Sequence, residues 1–123
     1  ALVYHAAANH AKASAVIVTA SHNPKEDNGL KYHLLGVTQT PEAIQALYQQ
    51  TLQHDWVQGH GKTSHIDYLS QYVDDIVTRL RIKRRLRVVI DTGHGVAGVV
   101  AKNLFESLGC HVHMLFETVD GHF

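Results

Sequence analysis

The sequence predicts an α/β protein. Short β-branched apolar runs alternate with stretches in which apolar residues recur at helical spacing. Near the C-terminal end a strand, a glycine-rich turn, a helix and a second strand follow one another within about 30 residues, the pattern of a right-handed βαβ unit with a parallel strand pair. The composition, 45% hydrophobic and 18% charged, is that of an ordinary globular chain.

Residues 2–12 are alanine-rich and read as a helix, because Ala has the lowest helical cost. Ala15-Val16-Ile17-Val18-Thr19 reads as a short buried strand. Residues 20–29 are polar and contain Pro24 and Gly29, so they form a loop, and Leu30 to Leu35 is a second strand ended by Gly36. Thr40-Pro41-Glu42 starts a helix: a hydroxyl cap, Pro at the first position and an acid at the positive dipole end. Ile44, Leu47 and Tyr48 share its apolar face, and the stretch around Trp56, Gly59 and Gly61 is loop.

Ser64-His65-Ile66-Asp67 has capping-box spacing, and behind it Ile66, Leu69, Val73, Ile76, Val77 and Leu80 recur at helical period. Six of the nine residues from Arg79 to Arg87 are basic, which suits a helix C-terminus better than an anion patch, since acids in the same half cancel the charge. Leu86 to Ile90 is the next strand. A helix with Val96, Val100, Leu104 and Leu108 inward follows the glycine turn, stops at Gly109, and leads to a strand from Cys110 to Phe116.

Eleven Lys+Arg balance eleven Asp+Glu, leaving no excess to attract nucleic acid or an anionic membrane. The single Cys110 excludes an internal disulfide framework and fits a reducing, cytoplasmic setting. No apolar run reaches the roughly 18 residues of a membrane span. The chain opens on Ala1 and stops at Phe123, just past a turn-like Asp120-Gly121, as expected of an excerpt from a longer polypeptide.

Two segments carry chemistry. Gly93-His94-Gly95-Val96-Ala97-Gly98 matches G-x-G-x-x-G between a strand and a helix, with Glu117 placed as a ribose-binding acid would be. Alone it points to a dinucleotide-dependent oxidoreductase. Against this, Asp91-Thr92 puts a carboxylate where a phosphate would approach, and too little chain follows to finish a dinucleotide half. A tight strand-to-helix connection needs glycines whatever the ligand. His111 and His113 share a strand face, but two ligands alone make a weak metal site.

The second segment runs from Thr19 through Ser21-His22-Asn23-Pro24 to Asn28-Gly29-Leu30-Lys31. It allows a nucleophilic serine on a loop with Lys31 returning beside it, or simply a Ser/Asn turn closing a hairpin-like connection.

At these residues the sequence resembles the phosphohexomutase superfamily (phosphoglucomutases, phosphomannomutases and phosphoglucosamine mutases). T-A/G-S-H-N-P followed by N-G-x-K is that family's phosphoserine signature, and each motif position is filled here. Asp91-Thr92-Gly93-His94-Gly95 and Val119-Asp120-Gly121-His122-Phe123 look like the opening of its second domain, whose usual forms are D-x-G-N-G and V-D-G-x-F. His94 stands where Asn is commoner.

The resemblance implies three-layer α/β/α mixed-sheet domains, both incomplete. Residues 1–66 would be the later part of domain 1 and residues 67–123 the first part of domain 2, with further domains of the same polypeptide outside the chain. It implies interconversion of hexose 1-phosphate and hexose 6-phosphate through phosphorylated Ser21 and a hexose 1,6-bisphosphate. Lys31 and His22 would join Ser21 as catalytic groups, with Asn23 and Asn28 positioning the phosphate or the turn. Mg2+ would be ligated here through the Ser21 phosphate alone, leaving this piece inactive by itself. A non-catalytic module of the same fold is the remaining alternative.

Overall fold

A computed structural model describes residues 1–10 and 13–122. Residues 11–12 of the expected first helix, and Phe123 of the V-D-G-x-F stretch, lie outside the described residues. The chain divides into two compact units, one built from Val3–Thr19 with Gly29–Ile66, the other from Ala20–Asn28 with the chain from Asp67 onward. The loop that leaves the first sheet is therefore grouped with the second unit.

In the first unit, α1 (Leu2–Asn9) precedes a three-stranded antiparallel sheet of β1 (Ala15–Val18), β2 (Leu30–Leu34) and β3 (Val37–Thr38), in that order. β1 and β2 pair from Ala15 opposite His33 to Val18 opposite Leu30. Tyr4 of α1 sets its ring edge-on to His33 at a 5.2 Å centroid distance, which fixes the face of β2 that meets the helix. The sequence did not announce β3. Leu35 and Gly36 both have positive φ, 51° and 84°, and form a two-residue hairpin loop whose twist matches that of the flanking strands. Strand β2 consequently ends at Leu34, one residue before the expected stop.

Helix α2 (Pro41–Leu52) starts where Thr40-Pro41-Glu42 demands: Thr40 Oγ1 accepts the Ala43 amide at 3.3 Å. Thr40 and the local backbone also hold the Glu42 carboxyl below the usual range, the backbone hydrogen bond being the larger cause.

In the second unit, α3 is Leu69–Arg79, four residues later than a Ser64 cap would place it. The nearer acceptor wins: Asp67 Oδ1 takes the Leu69 amide at 3.1 Å, so Ser64 caps nothing and Ile66 stays outside the helix, exposed. Arg79 ends α3 paired with Asp75 one turn back, at 2.9 Å. β4 (Arg87–Asp91) and β5 (His111–Leu115) form the expected parallel pair, in register from Arg87 opposite His111 to Asp91 opposite Leu115. The crossover is a 3-10 turn (Val96–Val99) followed by α4 (Ala101–Ser107), which packs on α3 and β5. Because this helix starts late, Val96 points outward at 77% exposure rather than into the core, a correction to the sequence reading. Val73 at 3% and Cys110 at 7% are the buried apolar residues among those described.

Candidate active site

The segment 20–28 leaves β1 and returns to β2, its neck closed by the Thr19 amide donating to Gly29 O at 2.8 Å. The loop is two successive turns: the Asn23 amide donates to Ala20 O at 3.2 Å, and the Asp27 amide to Pro24 O at 3.0 Å. Ser21 occupies the first corner with φ of 64°, in the left-handed region that costs a non-glycine residue roughly 1 kcal/mol or more. Such a conformation persists only where neighbouring structure imposes it. It carries the Ser21 side chain out on an exposed corner, and His22, Asn23, Lys25 and Asn28 are exposed with it.

Four of the residues singled out from the sequence (Ser21, His22, Asn23 and Asn28) thus share one short loop. Lys31 stands on β2, exposed and opposite Ile17, two positions past the neck. In the second unit the loop has a neighbour that sequence reading did not find. A Cβ placed on Gly121 would lie 3.3 Å from Lys25 Cβ and 3.9 Å from its Cδ. The available signal was the V-D-G motif itself, whose glycine has no partner visible in one dimension.

The glycine turn has a different occupation from the dinucleotide reading. Asp91 Oδ1 accepts the Gly93 amide at 2.8 Å, the His94 amide goes to Phe116 O at 3.0 Å, Gly95 to Thr92 O at 2.7 Å, and Gly98 to Gly95 O at 3.0 Å. These N–H groups are spent inside the protein and are not offered to a pyrophosphate. Gly98 is glycine because a Cβ there would collide with the Glu117 carbonyl oxygen. Glu117 itself reaches toward Lys102, 3.9 Å away.

His94, at φ 58°, points its Nδ1 at Thr118 O (2.9 Å) and sets its ring against Phe116, and its carbonyl accepts the Asp120 amide at 3.0 Å. Asp120 Oδ1 then accepts the His122 amide at 2.8 Å and lies 3.0 Å from His122 Nδ1. The first of these holds the Asp120 carboxyl below the usual aspartate range, the His122 side chain adds to it, and nearby His94 contributes less. His111 and His113 stand exposed on β5, and among the described residues no three His, Cys, Asp or Glu side chains come together to hold a metal.

The glycine turn spends its Gly93, His94, Gly95 and Gly98 amides on acceptors within the protein and does not have the features of a dinucleotide-binding loop. Comparison with known proteins agrees. Residues 1–58 match the family model described as phosphoglucomutase/phosphomannomutase, alpha/beta/alpha domain I. A phosphomannomutase/phosphoglucomutase of Pseudomonas putida is 41% identical over 121 residues, 98% of this chain and 26% of that protein. A phosphoglucomutase of Neisseria gonorrhoeae is 39% identical over 124 residues, 99% of this chain and 27% of that protein. The crystal structure of a phosphoglucomutase/phosphomannomutase family protein from Burkholderia thailandensis superposes with a TM-score of 0.84 at 40% identity, covering 88% of this chain and 24% of that one. Over nearly its whole length the chain is similar to proteins of the phosphoglucomutase/phosphomannomutase family. It spans about a quarter of the length of the curated relatives it matches. None of these matches supports an oxidoreductase.

Proposed function

We propose that the polypeptide carrying this chain is a phosphohexomutase that interconverts hexose 1-phosphate and hexose 6-phosphate through a phosphoserine at Ser21. The observation that carries the reading is the serine loop: an exposed Ser21 at a left-handed corner, inside the stretch that matches the phosphohexomutase domain I family. In the forward half-reaction the Oγ–P bond of phosphorylated Ser21 breaks as a sugar hydroxyl oxygen bonds to phosphorus, giving a hexose 1,6-bisphosphate. After reorientation the other phosphoryl group returns to Ser21. Such transfer needs positioning and charge neutralisation more than covalent help from the protein. Lys31 supplies a cation and a group able to take or return the hydroxyl proton, and His22 and Asn23 orient phosphate oxygens by hydrogen bonds. Asn28 shapes the turn ahead of β2.

Mg2+ would neutralise charge on the transferring phosphoryl group. The described side chains do not by themselves form a cation site, and a phosphate oxygen on Ser21 is the one ligand this segment would offer. Residues 1–66 are read as part of domain 1 and residues 67–123 as part of domain 2, with the other domains contributing the sugar contacts. The balanced charge and lone thiol favour a cytoplasmic enzyme, and among the described residues no helix is long and apolar enough to cross a membrane. Ser21→Ala in the full polypeptide should abolish mutase turnover and remove the phosphate found by peptide mapping. Full activity in that variant would overturn the role of Ser21.

A further inference from the structure

We propose that the Asp120–Gly121–His122 turn is a positioning element for the serine loop, acting through the side chain of Lys25. The inference rests on the mutase reading for its catalytic consequence, but its structural part stands alone. Four of the five residues from Phe116 to Asp120 are anchored to the glycine turn. Phe116 O accepts the His94 amide and Thr92 Oγ1, Glu117 is in close contact with Gly98, Thr118 O meets His94 Nδ1, and the Asp120 amide donates to His94 O. The chain then reverses at Gly121, stapled by the His122 amide and ring on Asp120 Oδ1. At that reversal the Lys25 side chain lies close enough to the backbone that a Cβ on Gly121 would stand 3.3 Å from Lys25 Cβ, tighter than ordinary van der Waals contact.

Lys25 lies inside the second turn of the loop, closed by the Asp27 amide on Pro24 O, which directly follows the first turn, closed by the Asn23 amide on Ala20 O. A support beside the second turn limits its movement, and through it the movement of the adjoining turn in which Ser21 is left-handed. This gives the Gly93–Gly98 motif a job other than ligand binding: it fixes a track from β4 through the exit of β5 to the serine loop. Glycine at 121 is then required by the neighbour it touches, and Gly121 and Lys25 are positioning residues.

The test uses the full polypeptide with Gly121→Ala, Lys25→Gly, the double variant and, separately, Ser21→Ala. The added methyl must displace Lys25 by a few tenths of an ångström. Since misplacement by about 1 Å costs on the order of a hundredfold, Gly121→Ala should lower kcat about fivefold and leave KM within about twofold. Exchange of the Asn23 and Asp27 amides should quicken in Gly121→Ala, and also in Lys25→Gly, which carries no risk to the fold because Lys25 is exposed. Because both changes act through one contact, the double variant should lose less than the product of the single losses. Unchanged loop exchange in both single variants, or losses that simply multiply, would overturn the proposal. A fully active Ser21→Ala would instead overturn the mutase reading, while the exchange data would still decide whether the turn supports the loop.

Discussion

Gly98→Ala is the substitution whose cost the structure defines most sharply. A Cβ at position 98 would enter the Glu117 carbonyl oxygen and come within 3.2 Å of its carbon, and both are backbone atoms that no rotamer change can move aside. The segment after β5 must retreat by roughly 1 Å to restore van der Waals separation. That retreat pulls Phe116 O from Thr92 Oγ1 (2.7 Å) and from the His94 amide (3.0 Å), and loosens the His94 Nδ1 contact with Thr118 O. Weakening two or three such bonds at about 1 kcal/mol each gives roughly 2–3 kcal/mol. The lower backbone entropy of Ala returns about 0.5–1 kcal/mol, so the expected net loss is about 2 kcal/mol. Gly95→Ala is the internal comparison. Its Cβ would stand 3.1 Å from Thr92 O, tight but not overlapping, and it should cost less than half as much. Local exchange is the suitable assay, because few of the described residues are fully buried. Exchange of the β4 and β5 amides and of the His94 amide should be destabilised by about 2 kcal/mol in Gly98→Ala. A loss under about 0.5 kcal/mol, or a larger loss in Gly95→Ala, would refute the reasoning.

Two further outcomes are expected. The folded-state pKa of Asp120 is depressed, chiefly by the His122 amide, so its contribution is present above the ordinary aspartate value of about 3.9 and is lost as pH falls through the depressed one. The His122 amide resonance should therefore titrate with a midpoint below 3.9, and a midpoint at or above it would count against the turn geometry. In the first unit, the Nδ1 of His33 is buried without a hydrogen-bond partner while its ring meets Tyr4 edge-on. His33→Phe keeps the ring contact and removes the orphan nitrogen, so urea unfolding of the full polypeptide should show a gain of about 1 kcal/mol. A loss of stability would show that the nitrogen is satisfied.

Where a feature is encoded by neighbours in the chain, the sequence determined it. Thr40-Pro41-Glu42 starts α2 because capping and dipole effects act within one turn. The strand–helix–strand order from β4 to β5 forced a parallel pair, since only a crossover joins parallel neighbours. The serine loop was legible as a motif, and its Asn and Pro residues do form tight turns.

What the sequence left open depended on competition or on distance. Ser64 has capping-box spacing, and only the closing geometry gave the Leu69 amide to Asp67 and started the helix later. A two-residue strand such as β3 has no periodicity to read, and is defined by pairing with β2. G-x-G-x-x-G fits a ligand loop or a closed turn equally well on paper. The tertiary structure decided for the turn by giving its amides to Asp91, Phe116, Thr92 and Gly95. Likewise, Asp120-Gly121 reads only as a turn until Lys25 is found beside Gly121. Local chemistry is written along the chain, whereas the atom that fills a neighbour's space is set only when distant segments pack.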